Sequence, residues 1–153
     1  MKNEPAFDLR AAHRYFSALC FNKAWDLIEK AGRTSEENEE MIRLSQASIW
    51  HWTQREDCAR ANLSIGYWQA SRVHALVGNA GEARRYGDLC MEQSRGEAPF
   101  LMAYAHEALA RAAQVAGNTT ECSRHREEAE RLAADLTDKD ERALLEKDLE
   151  TLR

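Results

Sequence analysis

The stretch RVHALVGNAGEARRY, residues 72–86, decides how this chain folds. It places one helix-favouring run before the pair Gly78-Asn79 and another after it, and glycine followed by asparagine is a strong turn signal. The same arrangement returns 39 residues later in RAAQVAGNTTECSRH, residues 111–125. The Gly-Asn pair and three further positions are shared, and a small residue stands five places after each glycine. A fixed period of this kind indicates a repeated helical hairpin.

The composition favours an all-helical chain. Of the 153 residues, 44% are apolar and 31% are charged, and there are only 7 glycines and 2 prolines. Helix-favouring Ala, Leu, Glu and Arg dominate, whereas runs of the β-branched residues that strands favour are few. A chain of this length can bury a core without a disulfide or a metal. We therefore expect an all-α fold in one domain spanning residues 1–153, with no β-sheet.

Turn and cap signals divide the chain into about seven helices. Thr34 begins a capping box with Glu37, Pro99 suits the first turn of the fifth helix, and Thr119 or Thr120 is the expected cap of the sixth. The last helix carries a thin leucine stripe, which is typical of a helix that covers the end of a stack. We expect antiparallel hairpins and a capping helix at residues 8–55, 58–95, 98–135 and 138–152.

Charge and cysteine content limit the expected partners. The net charge of −5 and the isoelectric point near 5.6 offer no basic surface for nucleic acid. No apolar stretch is long enough for a bilayer, and the amino terminus does not look like a signal peptide. The four cysteines are far apart and are expected to be reduced small residues of the core. We expect a cytoplasmic protein with no cofactor, no metal, no nucleic acid and no membrane partner.

The repeated unit resembles the tetratricopeptide repeat, mainly over residues 63–94 and 102–133. The shared features are a helix, a Gly-Asn turn, and a second helix with a small residue five places after the glycine. The period is 39 rather than the family's usual length of about 34, and the closing proline is absent. The family's Trp, Leu, Gly and Tyr positions carry Tyr67, Ala70, Ser71 and His74 in one unit, and His106, Leu109, Ala110 and Ala113 in the other. The resemblance implies a right-handed superhelix of antiparallel helices that binds other proteins.

Three further segments resemble a family of small bacterial proteins to which we attach no activity. They are residues 21–25, 47–52 and 68–72, each of which contains at least one tryptophan. This second resemblance adds to the expected fold and says nothing about function.

The tetratricopeptide resemblance also implies a binding site, because the first helix of each hairpin in that family lines a groove that grips peptides. Carried over by position, the groove residues are Trp68, Gln69, Arg72, Tyr104, Glu107, Arg111 and Gln114. Arg72 and Arg111 are equivalent, so they could form a paired clamp for an anion, because guanidinium groups match carboxylates. In the structural alternative, Glu107 and Arg111 merely neutralise each other on the surface, one turn apart, and Arg72 lies over Trp68.

A second candidate site is an aromatic and histidine cluster that draws on Trp25, His51 and Trp52. Trp50 and Trp52 are about 200° apart around a helix, so both cannot face the same layer. An exposed aromatic side chain beside His51 would be a recognition feature. The alternative is that these large rings fill the core.

No motif establishes an enzyme or excludes one. There is no phosphate-binding loop and no nucleophile elbow. His106-Glu107 lacks the second histidine of a zinc protease, and Cys122 with His125 would make only half a metal site. We expect an interaction module that binds a peptide or helix of a partner protein, with acidic groups, in its concave groove, and self-association is left open. The alternative is a small-molecule-binding protein or enzyme that uses the cluster around His51, Trp68 and Arg72.

Overall fold

The computed structural model describes residues 4–152, which form seven helices and no strand. This confirms the all-α prediction and the three hairpins. The helices are α1 (Leu9–Glu29), α2 (Ser35–Thr53), α3 (Arg60–Leu76), α4 (Ala80–Ser94), α5 (Pro99–Val115), α6 (Thr119–Asp135) and α7 (Lys139–Leu149). No helix within residues 4–152 combines the length and the apolar character that crossing a membrane requires.

The helices form two compact units. The first unit ends at Ala59 and contains α1 and α2, and the second begins at Arg60 and contains α3 to α7. That the whole chain makes a single domain stays a prediction.

The first unit is a helical hairpin held together by small side chains. Ala24 and Ser17 are fully buried, and the Ser48 hydroxyl donates to the carbonyl of Ser17 at 2.8 Å across the two helices. Small residues at a crossing let the two backbones approach closely, which is why serines stand where larger apolar residues are usual. The predicted capping box is present, since Thr34 Oγ1 accepts from the Glu37 amide at 3.2 Å and Glu37 accepts from the Thr34 amide at 3.0 Å.

The second unit repeats one turn geometry at the two Gly-Asn pairs. Gly78 has φ of 78° and Gly117 has φ of 75°, a left-handed conformation that glycine adopts without steric cost. The following asparagine amide donates to a helix carbonyl at 2.9 Å in both turns. The turns of the hairpins α3/α4 and α5/α6 therefore share a backbone geometry as well as the Gly-Asn pair.

An asparagine side chain caps the N-terminus of the second helix in both repeated hairpins. Asn79 accepts from the Glu82 amide at 3.2 Å, and Asn118 accepts from the Glu121 amide at 3.1 Å. The prediction that Thr119 or Thr120 caps α6 is wrong, because the Asn118 side chain one residue earlier already satisfies that first-turn amide.

The repeated hairpins pack side by side, with α5 in contact with both α3 and α4. This confirms that the first helices of successive hairpins are neighbours. The Ser71 hydroxyl donates to the Ala83 carbonyl at 2.8 Å, so α3 and α4 cross closely. A Cβ atom on Gly87 would lie 2.8 Å from Leu109 Cδ2, so the absence of a side chain on α4 allows α5 to approach.

The last helix packs on α6 and α5, as expected of a capping helix. It buries Leu145 and Leu149, while Leu144 stays 55% exposed. Arg126 of α6 keeps a half-exposed side chain and donates to the carbonyl of Leu152 at 3.2 Å, just beyond the end of α7.

Candidate functional site

A fully buried carboxylate, that of Glu107, lies between α3 and α5. The indole of Trp68 donates to Glu107 Oε2 at 2.8 Å. The guanidinium of Arg72 donates to Oε1 at 3.0 Å, and that of Arg111 donates to the same oxygen at 2.8 Å through Nε. One carboxylate therefore joins two neighbouring helices through three donors.

The 39-residue period explains how these groups meet. Trp68 and Glu107 are equivalent positions of the two hairpins, and so are Arg72 and Arg111, one turn further along each helix. Burial acts to raise the pKa of Glu107. The positive charges of Arg72 and Arg111 and the Trp68 hydrogen bond outweigh burial and hold this pKa below its ordinary value. Glu107 is therefore ionised, and the group is a paired buried charge rather than a proton donor.

The predicted clamp for a partner's anion is wrong in this form. The two guanidinium groups do converge, but on the chain's own Glu107 carboxylate, which takes the place of the expected ligand. The structural alternative describes the observed contacts better, since Arg72 lies 5.1 Å from the Trp68 ring and Arg111 pairs with Glu107 one turn away. It also needs a correction, because that pair is buried and not on the surface.

The end of α7 covers the same face of α3 and α5. Asp148 accepts from the Tyr104 hydroxyl at 2.8 Å and lies 3.4 Å from Arg72. Arg111 donates to the Asp148 carbonyl at 3.1 Å and to Thr151 Oγ1 at 2.8 Å. Burial and the Asp148 charge raise the pKa of Tyr104. These side chains have internal partners that any ligand would have to displace.

Of the seven predicted groove residues, Gln114 is the exposed one, and Gln69 is almost fully buried. The other five are those joined around Glu107 or covered by α7. That these residues bind a partner stays a prediction.

A cluster of five aromatic rings lies on the first hairpin. We define the aromatic cluster as His13, Tyr15 and Phe16 of α1 with Trp50 and His51 of α2. The His51 ring stacks on Phe16 at 5.5 Å between centroids and meets the edge of Trp50 at 4.9 Å. His13 meets Trp50 at 5.3 Å, and Tyr15 meets Phe16 at 5.3 Å. The rings form one continuous chain of contacts across both helices.

Three rings of the aromatic cluster face solvent. Tyr15 is 62% exposed, Trp50 is 55% exposed and Phe16 is 41% exposed. His13 is buried, and His51 is half-buried beneath them. An exposed aromatic side chain therefore does lie beside His51, and of the pair Trp50 and Trp52 it is Trp50.

The sequence prediction missed His13, Tyr15 and Phe16 as members of this site. The register of the α1/α2 hairpin, counted outward from its turn, indicates which residues of α1 lie opposite the rings of α2. Counting 19 residues outward from Gly32 in each direction reaches His13 and His51, which are in contact.

Trp25 and Trp52, which were predicted to belong with His51, are not among the five rings. Trp25 packs against Phe21 at 6.4 Å between centroids. The guanidinium of Arg55 lies 3.7 Å over the Trp52 ring and donates twice to Asp57, at 2.8 Å and 2.7 Å. This hydrogen-bonded pair lowers the pKa of Asp57 to about 2. Trp52 therefore contributes to a cation–π contact instead.

Two histidine pairs bridge helices through their Nδ1 atoms. His13 and His51 are 2.9 Å apart at these atoms, and His106 and His125 are 3.0 Å apart. Burial, helped by the neighbouring His13, lowers the pKa of His51. Within residues 4–152, no group of three or more His, Cys, Asp or Glu side chains is arranged to hold a metal ion.

The four cysteines are free thiols, two of them buried and two half-buried. Burial raises the pKa of each, to about 11 for Cys90, so the thiols are protonated at neutral pH. The alternative site around His51, Trp68 and Arg72 draws on both units. Within the second unit, Trp68 and Arg72 are already bound to Glu107.

No family model matches the chain, and neither a curated protein sequence nor a solved structure matches it.

Proposed function

We propose that the protein is a tetratricopeptide-like interaction module whose aromatic cluster binds the apolar face of a helix from a partner protein. The repeated hairpins favour this class, because helical-repeat folds commonly bind proteins. The cytoplasm is the compartment that we propose for it.

The observation that carries the proposal is the exposure of three aromatic rings that contacts with His51 join into one cluster. Exposed apolar patches on soluble proteins mark interaction sites more often than isolated exposed residues do. Tryptophan and tyrosine are enriched among the residues that contribute most to binding energy. Trp50, Tyr15 and Phe16 are also held by ring contacts with one another or with the histidines. Rings that are already ordered lose less entropy when a partner binds.

The surroundings of the cluster suit an interface with an apolar centre and a polar rim. Arg10 lies one turn before His13 on α1 and pairs with Glu56 at 2.9 Å, with both side chains exposed. A helix that places leucine or aromatic residues at spacings of three and four would meet the rings along one face. The α3/α5 face offers a weaker site, since its arginines are bound to Glu107 and to the end of α7.

The test is a selection of binding helices followed by affinity measurements. A displayed library of 16-residue amphipathic helices, with varied apolar residues and no histidine, is selected on the full chain at pH 7.5. The best peptide is then titrated by calorimetry against the wild type and the variants Trp50→Ala, Phe16→Ala and Leu144→Ala. Leu144 is the matched control, because it is 55% exposed, like Trp50, and lies on α7.

We expect Trp50→Ala to weaken binding about 30-fold, which corresponds to a hot spot of roughly 2 kcal/mol. Phe16→Ala should weaken binding less, and Leu144→Ala should leave it unchanged. A library that yields no binder would contradict the proposal. So would a peptide that binds Trp50→Ala as tightly as it binds the wild type.

A further inference from the structure

We propose that the His13–His51 pair makes binding by the aromatic cluster depend on pH, with affinity lost when both rings carry a proton on each nitrogen. This inference rests on the function proposed above, because it concerns the regulation of the same surface. The pair lies within the cluster, and the chemistry of its hydrogen bond limits how many protons it can hold.

The position of His51 links the pair to the binding rings. His51 stacks on Phe16, meets the edge of Trp50 and bonds His13 through Nδ1. His13 meets the same Trp50 from the other helix. A reorientation of either imidazole therefore changes the support beneath Trp50, the ring on which we expect binding to depend most.

The bond between the two Nδ1 atoms requires one nitrogen to donate a hydrogen and the other to accept it through a lone pair. A first added proton can enter at the free Nε2 of the donating ring and leave this bond intact. A second added proton must take the lone pair of the accepting Nδ1. That step breaks the bond and leaves two cations facing each other at 2.9 Å between nitrogens.

The two carboxylates that follow α2 are each paired with an arginine. The charged neighbours on α1 are Arg10 and Arg14, and those after α2 are Arg55, Glu56 and Asp57. Glu56 pairs with Arg10, and Asp57 pairs with Arg55 and also feels the charge of Arg14. Within residues 4–152, neither His13 nor His51 bonds to a carboxylate. The Nδ1 bond therefore opposes the second proton, and burial together with the neighbouring His13 lowers the pKa of His51.

The second unit contains the matched control. His106 and His125 form the same kind of Nδ1 pair, at 3.0 Å, and are not part of the aromatic cluster. Protonation of that pair changes the second unit and not the proposed binding surface. A variant of each pair can therefore separate an effect on binding from a general response to acid.

The first arm of the test uses the free protein. Imidazole ¹⁵N spectra are recorded from pH 7.5 to 5.0, together with the indole signal of Trp50, assigned with Trp50→Phe. We expect opposite Nδ1 protonation states in His13 and His51 at pH 7.5, and a Trp50 signal that shifts together with the loss of the Nδ1 bond. Two rings that titrate independently, or a Trp50 signal that stays constant, would overturn the inference whether or not a peptide binds.

The second arm measures the selected histidine-free peptide at pH 7.5 and pH 5.0. We expect the wild type to lose affinity about tenfold or more, which corresponds to one pKa unit of coupling between protonation and binding. In His51→Phe, the ratio of the two affinities should fall to near one, whatever the affinity at pH 7.5. His13→Gln should give the same result if the phenylalanine disturbs the fold, and the double variant His106→Tyr/His125→Tyr should keep the wild-type ratio.

The outcomes separate the two proposals. An absence of binding at pH 7.5 would overturn the proposed function, and this inference with it. Tight binding at pH 7.5 with an unchanged affinity at pH 5.0 would overturn this inference alone. A pH response that persists in His51→Phe and disappears in His106→Tyr/His125→Tyr would assign the response to the second unit. This result would also overturn the inference.

Discussion

The hairpins α3/α4 and α5/α6 share a turn geometry but differ in the ring pair that joins their helices. Tyr67 stacks on Tyr86 in the first hairpin, at 6.1 Å between centroids. The equivalent positions 39 residues later are His106 and His125, whose rings are 5.3 Å apart. The same place in the scaffold therefore holds two phenol rings in one hairpin and two imidazole rings in the other, and burial lowers the pKa of both imidazoles. Divergence between the copies has changed a chemical property without changing the backbone.

A second difference between the hairpins joins them to each other. Trp68 and Glu107 are equivalent positions, yet one is a donor and the other an acceptor, and they bond at 2.8 Å. Two tryptophans at these positions would remove the carboxylate that Arg72 and Arg111 share. The contact between the copies exists because their sequences are unlike at this point.

The largest effect is expected from Glu107→Gln, which removes the charge that joins the hairpins. Arg72 and Arg111 are mostly buried and would lose their shared anion. Breaking a buried ion pair by removing one partner typically costs about 3–5 kcal/mol. Urea unfolding at pH 7.5 measures the change in the free energy of unfolding.

Glu130→Gln is the control for Glu107→Gln. Glu130 pairs with Arg126 one turn away, and both side chains are nearly half exposed, so we expect no measurable loss. A loss below about 1 kcal/mol in Glu107→Gln would show that the carboxylate does not hold the hairpins together.

An intermediate effect is expected from Gly78→Ala and Gly117→Ala, which test whether the two turns are true copies. Both glycines adopt a left-handed conformation, and an alanine there costs about 1–2 kcal/mol. We expect the two losses in thermal unfolding experiments to agree within about 0.5 kcal/mol.

Gly81→Ala is the control, because Gly81 lies within α4 and a Cβ atom there meets only Asn79 Oδ1, at 3.9 Å. This change should stabilise the protein by several tenths of a kcal/mol or more, because alanine favours the helix. Clearly unequal losses at Gly78 and Gly117 would mean that the two turns contribute differently to the free energy of unfolding despite their shared geometry.

The smallest effect at neutral pH is expected from His106→Tyr/His125→Tyr, which gives α5/α6 the ring pair of α3/α4. Burial lowers the pKa of His106, and burial together with His106 and Arg124 lowers the pKa of His125. Below about pH 6.5, the unfolded chain therefore binds more protons than the folded chain does at these rings. Their contribution to stability is complete above that pH and is lost as the pH falls from there to the lowered pKa values of the folded state.

The tyrosine variant should consequently lose less stability than the wild type between pH 7.5 and 5.0. Urea unfolding at several pH values in this range measures the two slopes. His51 and His74 also have lowered pKa values because of burial, so part of the wild-type slope should remain in the variant. Identical slopes for the two proteins would contradict the assignment to this pair.

Local sequence signals were sufficient to predict most of the fold. The Gly-Asn turns, the capping box at Thr34 and the 39-residue period each act within a few residues or within one repeat. They predict the hairpins and the contact between α3 and α5, which the structure confirms. The spacing of Trp50 and Trp52 likewise indicates that the two rings do not face the same layer, and it is Trp50 that is exposed.

The environment of Glu107 could not be predicted in the same way. An acid and a base four residues apart, such as Glu107 and Arg111, usually form a solvated surface pair. Here the end of α7 covers them, and Asp148 and Thr151 belong to a helix whose position depends on tertiary packing. The aromatic cluster depends on the register between α1 and α2, which becomes visible only when the hairpin is counted outward from its turn.

The contact at Gly87 has a consequence for how many hairpins this architecture can hold. Gly87 gives α5 room to dock on α4, because a Cβ atom there would lie 2.8 Å from Leu109. The equivalent residue of α6 is Arg126, whose side chain instead reaches the carbonyl of Leu152. A third copy of the hairpin that docked on α6 as α5 docks on α4 would meet the Arg126 side chain where α5 meets a glycine. An engineered longer array would therefore have to shorten that side chain and also displace α7, which packs on α6.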